Sequence, residues 1–286
     1  MPATLLDGRA VAQQMRATLQ DEVGLFQQQY GYPPRLAVVQ VAGVAASDRY
    51  VRNIRKQCEA VGMAFQLELL PEDVAQAVLE QQLAHLSAEA AVHGILLQLP
   101  LPAHLSLQQA LFQLDYRKDV DGIHPTNAGL LVQGQPALLP NPPAGGIALL
   151  KHYNIPLKGR NVAMVGWGMV VGRPMTALLL RENATVLVCH SQTADIPAIL
   201  RVCDIVVVAV GKPELITGEM LRPGAVVIDF GINVQPDGSM VGDVDFNSAF
   251  ELASAITPVP GGTGPMTNVM LLQNVLMAAR QQQRNT

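Results

Sequence analysis

The first 120 or so residues alternate between amphipathic helices and short apolar strands. The spacing of apolar positions predicts helices over Val11–Tyr30, over a segment that runs from Ser47 through Tyr50 and Lys56 to Gly62, and over Glu72–Leu86. Apolar runs bounded by turn residues predict strands at Leu36–Val41, Phe65–Leu70 and Gly94–Leu99. We expect Ser47 to be the N-cap of the second helix. The alternation predicts a first, smaller α/β domain.

The second half of the chain places a glycine turn between a strand and a helix. Val162–Val165 is an apolar run, Gly166-Trp-Gly168 interrupts it, and helical spacing follows over Pro174–Arg181. This order presents backbone N–H groups and a helix N-terminus to a pyrophosphate. The spacing is G-x-G-x-x-x-G, not the strict G-x-G-x-x-G, so close packing explains the turn equally well at this point.

Further apolar runs decide between these two interpretations. Helix-length segments separate strands predicted at Thr185–His190, Asp204–Val210 and Ala225–Asp229. A series of strand–helix units of this kind is typical of a doubly wound sheet. The second half therefore predicts a dinucleotide-binding domain.

Two stretches rich in proline and glycine punctuate the pattern. At Pro140–Gly145 (PNPPAG) we expect the prolines to break any helix and to stiffen a link between two domains. Pro258–Pro265 (PVPGGTGP) predicts a rigid loop, and a helix is predicted from Thr267 to about Arg280.

Composition then restricts the class of protein. A length of 286 residues suggests about two domains. A net charge of −4 without a basic run argues against nucleic acid as the partner. No apolar run approaches about 18 residues and the N-terminus has no signal-peptide pattern, so we expect no membrane association. Cys58, Cys189 and Cys203 are scattered without a C-x-x-C, which indicates a reducing, cytoplasmic location and neither disulfides nor a metal site.

A few polar residues interrupt the apolar pattern where a ligand would bind. Tyr50 shares a helix face with position 54, and Gln98 stands near the C-terminal end of a predicted strand, where open α/β sheets place ligands. Asp119 and Asp121 lie in a charged turn before His124. Each also has a structural interpretation, as a half-buried helix tyrosine, a satisfied glutamine or a turn former.

Ordered blocks along nearly the whole chain resemble the methylenetetrahydrofolate dehydrogenase/cyclohydrolase family. The matching segments are Ser47 with Tyr50–Asn53 (YVRN), Gly94–Pro102 (GILLQLPLP), Lys118–Pro125 (KDVDGIHP), Val171–Pro174 (VGRP), Asn183–Val186 (NATV), Cys189–Ser191 (CHS), Val208–Pro213 (VAVGKP), Val227–Asn233 (VIDFGIN), Gly242–Val244 (GDV) and Ile256–Thr267 (ITPVPGGTGPMT). The resemblance implies folate one-carbon metabolism, which serves purine biosynthesis, and a homodimer. It implies that hydride passes from 5,10-methylenetetrahydrofolate to a nicotinamide, and that water then opens the methenyl product to 10-formyltetrahydrofolate.

The resemblance also implies domains and site residues. A folate-binding catalytic domain is expected over residues 1–139 with a returning helix over 267–286, and a Rossmann-type NAD(P)-binding domain over 140–266. Tyr50, Gln98 and Asp121 are the implied catalytic residues, and they bind the substrate together with Pro260, Gly261 and Gly262. The implied cofactor-binding residues are Gly166, Trp167, Gly168, Gly172, His190, Ser191, Gly211 and Ile232.

The chain departs from the family pattern at position 54. The family motif is Tyr-x-x-x-Lys, and here it reads Tyr50-Val-Arg-Asn-Ile54. A desolvated lysine can exchange protons during cyclohydrolysis, and isoleucine cannot. On a helix Lys56 points roughly 200° away from position 54, and Arg55 stays protonated. We therefore expect cyclohydrolase activity to be weak or lost while hydride transfer survives, because that step needs positioning and no proton relay.

The cofactor positions depart as well. NADP-dependent members of the family commonly have an arginine after the first glycine of the turn or after the histidine of the second strand, and here these positions are Trp167 and Ser191. No Asp or Glu ends Thr185–His190 to bind a ribose 2′-OH, so NADP is expected on family grounds and NAD stays possible.

The linker also lacks the Cys and Thr of the family's Pro-Cys-Thr-Pro. The alternative to an active dehydrogenase is a non-catalytic paralogue that binds folate or nucleotide. Retention of Tyr50, Gln98 and Asp121 favours the enzyme. Substitution at positions 54, 141, 142, 167 and 191 favours the paralogue.

Overall fold

The computed structural model describes residues 3–284, apart from the side chains of residues 45 and 46. The chain forms two compact units. We call residues 3–13 with Pro140–Met270 the six-stranded unit, and Gln14–Leu139 with residues 271–284 the three-stranded unit. Residues 1–2 and 285–286, the ends of the predicted folate domain, lie outside the described residues.

Strands and helices alternate along both units. The strands are β1 (Thr4–Leu5), β2 (Arg35–Val41), β3 (Ala64–Leu70), β4 (Gly94–Leu97), β5 (Asn161–Val165), β6 (Thr185–Cys189), β7 (Ile205–Val208), β8 (Val226–Asp229), β9 (Asn233–Val234), β10 (Met240–Val241) and β11 (Ala255–Ile256). The helices are α1 (Gly8–Tyr30), α2 (Ala45–Ala60), α3 (Gln76–Ala88), α4 (Leu107–Gln113), α5 (Pro125–Val132), α6 (Asn141–His152), α7 (Gly172–Arg181), α8 (Ile196–Leu200), α9 (Phe246–Leu252) and α10 (Thr263–Arg284), with a 3₁₀ turn at Gly218–Met220. None of the helices within residues 3–284 is long and apolar enough to cross a membrane.

The three-stranded unit is built on a parallel sheet in the order β3-β2-β4. Alternate residues of β2, namely Ala37, Val39 and Val41, point to one face and are buried. They belong to one apolar cluster with Leu79 and Leu83 of α3, because strand side chains alternate between the two faces of a sheet.

The six-stranded unit is built on a parallel sheet in the order β1-β11-β8-β7-β5-β6. The chain passes from β5 outwards to β6 and then returns to β7 on the other side of β5. The carboxyl ends of β5 and β7 therefore form a topological switch point, the place where doubly wound sheets bind ligands. This architecture confirms the predicted α/β fold with a Rossmann-type half.

Four predicted helix boundaries are wrong, and one of them is the start of α3, which lies at Gln76 and not at Glu72. Pro142 and Pro143 do not break a helix but lie in the first turn of α6, because that turn needs no N–H donor from a proline. The final helix begins at Thr263, inside the predicted loop. Pro265 lies in the first turn of this helix, where a proline is tolerated because no N–H donor is needed. Ser47 lies within α2 and is buried, and Val44 is the N-cap without a side-chain bond.

Candidate functional site

Gln98 and Asp121 reach the carboxyl end of the three-stranded sheet by different routes. Gln98 directly follows β4, and its backbone N–H donates to the carbonyl of Val39 at 2.9 Å. Asp119 forms an isolated parallel bridge with Ile95 of β4. Because the bridge is parallel, the chain leaves it in the direction of β4, so Asp121 comes out at the end that Gln98 occupies.

Asp119 organises the turn that carries Asp121. The Asp119 side chain is 1% exposed, and its carboxylate accepts the N–H of Gly122 at 3.1 Å and of His124 at 2.7 Å. The amide of Asn127 donates to the same carboxylate at 3.0 Å. These bonds support the structural interpretation of Asp119 as a turn former.

Tyr50 is a half-buried residue of α2 that interacts with Asp121. Burial raises the pKa of the Tyr50 phenol, and the negative charge of Asp121 raises this pKa further. The phenol therefore keeps its proton at neutral pH and is a hydrogen-bond donor rather than a base.

Position 54 is apolar and enclosed. Ile54 is 1% exposed. Arg55 and Lys56 are both exposed, and the Arg55 guanidinium carbon lies 4.9 Å from the centroid of the Phe65 ring. Neither cation replaces a lysine at position 54, because α2 turns their side chains to other faces.

Gln98 satisfies part of its own hydrogen-bonding capacity locally. The side chain is 8% exposed, and its amide nitrogen donates to the carbonyl of Leu99 at 2.5 Å. A second polar pair at this end was missed from the sequence. The amide of Gln40, 2% exposed at the end of β2, donates to Asp48 of α2 at 2.5 Å.

In the six-stranded unit, two positions of the turn after β5 have room for glycine only. Gly166 has a φ of +111°, and an added Cβ would lie 2.1 Å from the carbonyl oxygen of Ala209. A Cβ on Gly172 would lie 2.2 Å from the carbonyl oxygen of Gly166. Gly168, in contrast, has nothing within 4 Å of its Cβ position. The turn is thus folded tightly on itself while its middle is open to a ligand.

The tryptophan of this turn is exposed, and the side chain of an arginine contacts it. Trp167 is 45% exposed. The Arg173 Nε donates to the Trp167 carbonyl at 3.3 Å, and the guanidinium carbon lies 5.8 Å from the indole centroid. This contact between the first residue after Gly166 and the start of α7 was not predicted.

His190 and Ser191 follow β6 beside this turn and are exposed. The N–H of Gly166 donates to the carbonyl of Cys189 at 2.8 Å, which brings the end of β6 next to the turn after β5. His190 Nδ1 accepts the N–H of Gln192 at 3.2 Å. These predicted cofactor residues therefore lie at the same edge as the glycine turn.

Two buried carboxylates that sequence reasoning missed fix the remaining loops. Asp243 is fully buried and accepts the N–H groups of Val210 and Gly211, at 2.6 and 2.9 Å. Asp229 is 2% exposed and accepts the N–H groups of Gly231 at 2.7 Å, Asp243 at 3.2 Å and Val244 at 2.9 Å. The sequence did offer one indication of these two residues, because Asp229 lies in the VIDFGIN segment and Asp243 in the GDV segment that match the family.

The surroundings of Asp229 change its ionisation. Burial raises the pKa of Asp229, its three backbone hydrogen bonds lower it, and the charge of Asp243 raises it a little further, so that this pKa is about 6.

The two remaining predicted cofactor residues lie in loops beside these carboxylates. Gly211, with a φ of +64°, lies in the loop after β7, and Asp243 holds this loop through the N–H of Gly211. Ile232 follows Gly231 and is 61% exposed.

The predicted substrate loop belongs to the six-stranded unit. Pro260 is exposed, whereas Gly261 and Gly262 are buried. The N–H of Arg9 donates to the Gly261 carbonyl at 3.2 Å, and a Cβ on Gly8 would lie 1.7 Å from the Gly262 carbonyl oxygen. The close approach of α1 to this loop therefore requires glycine at position 8, and the φ of +121° at Gly261 favours glycine there.

The parallel order, the switch point and the glycine turn define a dinucleotide-binding α/β protein. Residues 6–121 match the catalytic domain of the tetrahydrofolate dehydrogenase/cyclohydrolase family, and residues 140–283 match its NAD(P)-binding domain. The chain belongs to this family, and it is an enzyme of folate one-carbon metabolism with an NAD(P) site.

Similar proteins cover the whole length. "Bifunctional protein FolD" of Roseiflexus sp. strain RS-1 is 57% identical over 99% of this chain and 98% of its own. The Campylobacter jejuni bifunctional FolD structure has a TM-score of 0.95 and 40% identity, over 98% of this chain and 99% of that one. The Trypanosoma brucei dehydrogenase-cyclohydrolase, a complex with NADP and inhibitor, has a TM-score of 0.93 and 38% identity over 99% of each chain.

Proposed function

We propose that this chain oxidises 5,10-methylenetetrahydrofolate with NADP as hydride acceptor and hydrolyses the methenyl product weakly or not at all. The observation that carries the proposal is the enclosed isoleucine at position 54, 1% exposed, where the family motif has lysine. Tyr50, Gln98 and Asp121 remain at the carboxyl end of the same sheet.

The oxidation moves one hydrogen with two electrons from the methylene carbon and leaves a methenyl cation. NADP supplies the hydride-accepting ring when bound. No proton leaves or joins the folate in this step, so it depends on orientation. Asp121 would accept hydrogen bonds from N–H groups of the pterin, Tyr50 would donate a hydrogen bond to the folate while keeping its proton, and Gln98 would stand beside the reacting centre.

The hydrolysis, in contrast, requires proton exchange. Water adds to the methenyl carbon and loses a proton, and the departing folate nitrogen gains one. Ile54 carries no exchangeable proton, and Tyr50 is a poor base because its pKa is raised. Arg55 and Lys56 are exposed on other faces of α2.

Two observations support NADP as the cofactor. The Trypanosoma brucei relative is described as complexed with NADP. The first acidic residue after β6 is Asp195, whose carboxylate accepts the N–H of Ala198 as the N-cap of α8, so it is committed to the helix and not to a ribose 2′-OH.

Paired assays test the proposal. Oxidation of methylenetetrahydrofolate is followed with NADP and with NAD, and hydrolysis of methenyltetrahydrofolate is followed separately, for the wild type and for Ile54→Lys. We expect oxidation with little hydrolysis in the wild type, and hydrolysis increased about a hundredfold or more in Ile54→Lys, which is the lower end of the range typical of a general acid–base group. Ile54→Leu, which changes the side chain but adds no proton, is the matched control.

Strong hydrolysis by the wild type would contradict the argument from position 54. A Lys56→Ala variant would then show whether the neighbouring lysine supplies the proton. A folded wild type that is inactive in both assays would support the non-catalytic paralogue instead.

We also infer a homodimer from the family resemblance. Strand β6 is an edge of the six-stranded sheet, and its Val186, Leu187 and Val188 are only half buried, so the edge would gain from being covered. Light scattering at two concentrations tests this state.

A cytoplasmic location is proposed on the basis of the cysteines. Cys58, Cys189 and Cys203 are buried free thiols, a state that suits a reducing compartment.

A further inference from the structure

The adenosine end of a dinucleotide site lies between the first turn and the end of the second strand. In doubly wound folds the group on the ribose 2′ position is bound just after that second strand. Here the hydrogen bond from Gly166 to Cys189, 2.8 Å long, places Trp167 beside His190 and Ser191. Whatever binds a 2′-phosphate in this unit must reach this place.

One permanent cation is available there. Arg173 is the one charged residue in the segment 166–173, which includes the glycine turn. Asp195 is the one charged residue in the segment 189–195, which follows the second strand. Asp195 is the N-cap of α8, as described above. Arg173 is exposed, and its Nε is bound to the Trp167 carbonyl at 3.3 Å.

The Trp167 contacts leave the binding end of Arg173 available. Within residues 3–284 the two terminal nitrogens of its guanidinium have no hydrogen-bond partner. The guanidinium carbon lies 5.8 Å from the indole centroid, a distance at which the ring face attracts a cation. Arg173 is therefore partly immobilised, with a free N–H pair of the kind that binds phosphate in a bidentate manner.

We propose that Arg173, braced by Trp167, binds the 2′-phosphate of NADP and sets the preference of this enzyme for NADP over NAD. The proposal rests on the proposed function, since it assigns the specificity of the same nucleotide site. It also gives Trp167 a role: the tryptophan stands at the position of the family arginine and contacts another arginine, Arg173, six residues further along the chain at the start of α7.

Ligands that differ in the 2′-phosphate test the proposal without turnover. Calorimetric titration of the full-length protein would compare adenosine 2′,5′-bisphosphate with adenosine 5′-monophosphate. Arg173→Ala should weaken binding of the bisphosphate about tenfold or more, since hydrogen bonds to charged groups contribute on the order of a tenfold to hundredfold change. It should change binding of the monophosphate less than about twofold.

The matched control is Arg181→Ala, which removes the same charge from the exposed last turn of α7, roughly 12 Å along the helix. This control should leave both affinities unchanged. Arg173→Lys should recover part of the loss, because it restores the charge without the planar fork. The double variant Trp167→Leu/Arg173→Ala completes a mutant cycle. Its loss of bisphosphate affinity should be smaller than the sum of the losses in the two single variants, because the two side chains act as one unit.

The outcomes separate the inference from the function beneath it. Equal bisphosphate affinities in Arg173→Ala and Arg181→Ala would overturn the role of Arg173. A wild type that binds both ligands equally would overturn the inference while leaving an NAD-dependent dehydrogenase possible. A folded wild type that binds neither would overturn the inference and the proposed nucleotide site together.

Discussion

The carboxyl ends of the two sheets differ in whether backbone or side chains form them. In the six-stranded unit, the edge consists mainly of backbone: a turn closed by Gly166 and Gly172, and a loop whose N–H groups are held by Asp243. In the three-stranded unit, Gln98 and Asp121 lie at this end of the sheet, and Tyr50 interacts with Asp121. Under the proposed function, the one side chain at position 54 decides whether a chemical step survives. The glycine turn, in contrast, stays closed although Trp167 and Ser191 stand where arginine is common in the family.

The largest predicted effect tests the backbone side of this comparison. Gly166→Ala should reduce the free energy of unfolding of the six-stranded unit by about 3 kcal/mol or more, because its Cβ would lie 2.1 Å from a carbonyl oxygen and its φ is +111°. Gly168→Ala, with nothing within 4 Å, should cost about 1 kcal/mol or less. Thermal unfolding of both variants measures the difference, and equal losses would show that the turn is not tightly closed.

The repeating strands and helices could be predicted because each is encoded locally. The apolar runs at Val162–Val165, Thr185–His190 and Ala225–Asp229 match β5, β6 and β8 to within a residue or so. Burial on both faces of a parallel sheet requires an uninterrupted apolar run, so this signal needs no knowledge of the neighbouring strands.

Features that depend on distant partners could not be predicted. Two prolines at positions 142 and 143 are compatible both with the end of a helix and with the first turn of one. The packing of Gly145 against Met266 and of Gly146 against Phe230 favours the helix, and the sequence does not show these contacts. Asp229 and Asp243 likewise gave no periodic signal, because their partners are backbone groups of loops. Arg173 was overlooked since its contact with Trp167 depends on how the turn folds back.

The next effect contrasts one buried acid with one buried base. The folded protein raises the pKa of Asp229 to about 6, mainly through burial. The folded state therefore holds this proton more tightly than the unfolded chain. Its stabilising contribution, about 3 kcal/mol, is complete below pH 4 and is lost as the pH rises through 6.

His93 in the three-stranded unit acts in the opposite sense. Burial, with the charges of Lys118 and Arg35, lowers the pKa of His93 to about 4. Its Nδ1 accepts the N–H of Arg35 at 2.9 Å. The neutral imidazole contributes roughly 2 kcal/mol above pH 6.5, after allowance for solvent screening, and this contribution is lost as the pH falls towards 4.

Hydrogen exchange resolved by peptide can separate the two units. Between pH 7 and pH 4.5 the β4 amides should lose protection relative to the β8 amides, once the intrinsic exchange rates are corrected for. His93→Asn should abolish the change at β4, and Asp229→Asn should abolish the change at β8. Parallel changes in the two strands, unaffected by either variant, would contradict the assignment.

The smallest effect concerns a buried hydroxyl at the start of α10. The Thr263 hydroxyl donates to the Asp229 carbonyl at 3.0 Å, and the residue is 6% exposed. Thr263→Val should cost about 1 kcal/mol, because it leaves a buried carbonyl without this donor. Thr267→Val, which removes only a 3.4 Å bond to the preceding turn of α10, should cost about half as much or less. Urea unfolding of the two variants measures the difference, and equal values would remove any special role for Thr263.

The pairing of β1 with β11 has a consequence for synthesis of the chain. Thr4 and Leu5 pair with Ala255 and Ile256, so β1 leaves the ribosome about 250 residues before its partner strand. At 5–20 residues per second, this edge of the sheet waits roughly 10–50 s for its neighbour. During that interval the nascent chain can complete the whole β3-β2-β4 sheet, and β1 gains its partner only after β5, β6, β7 and β8 have been synthesised.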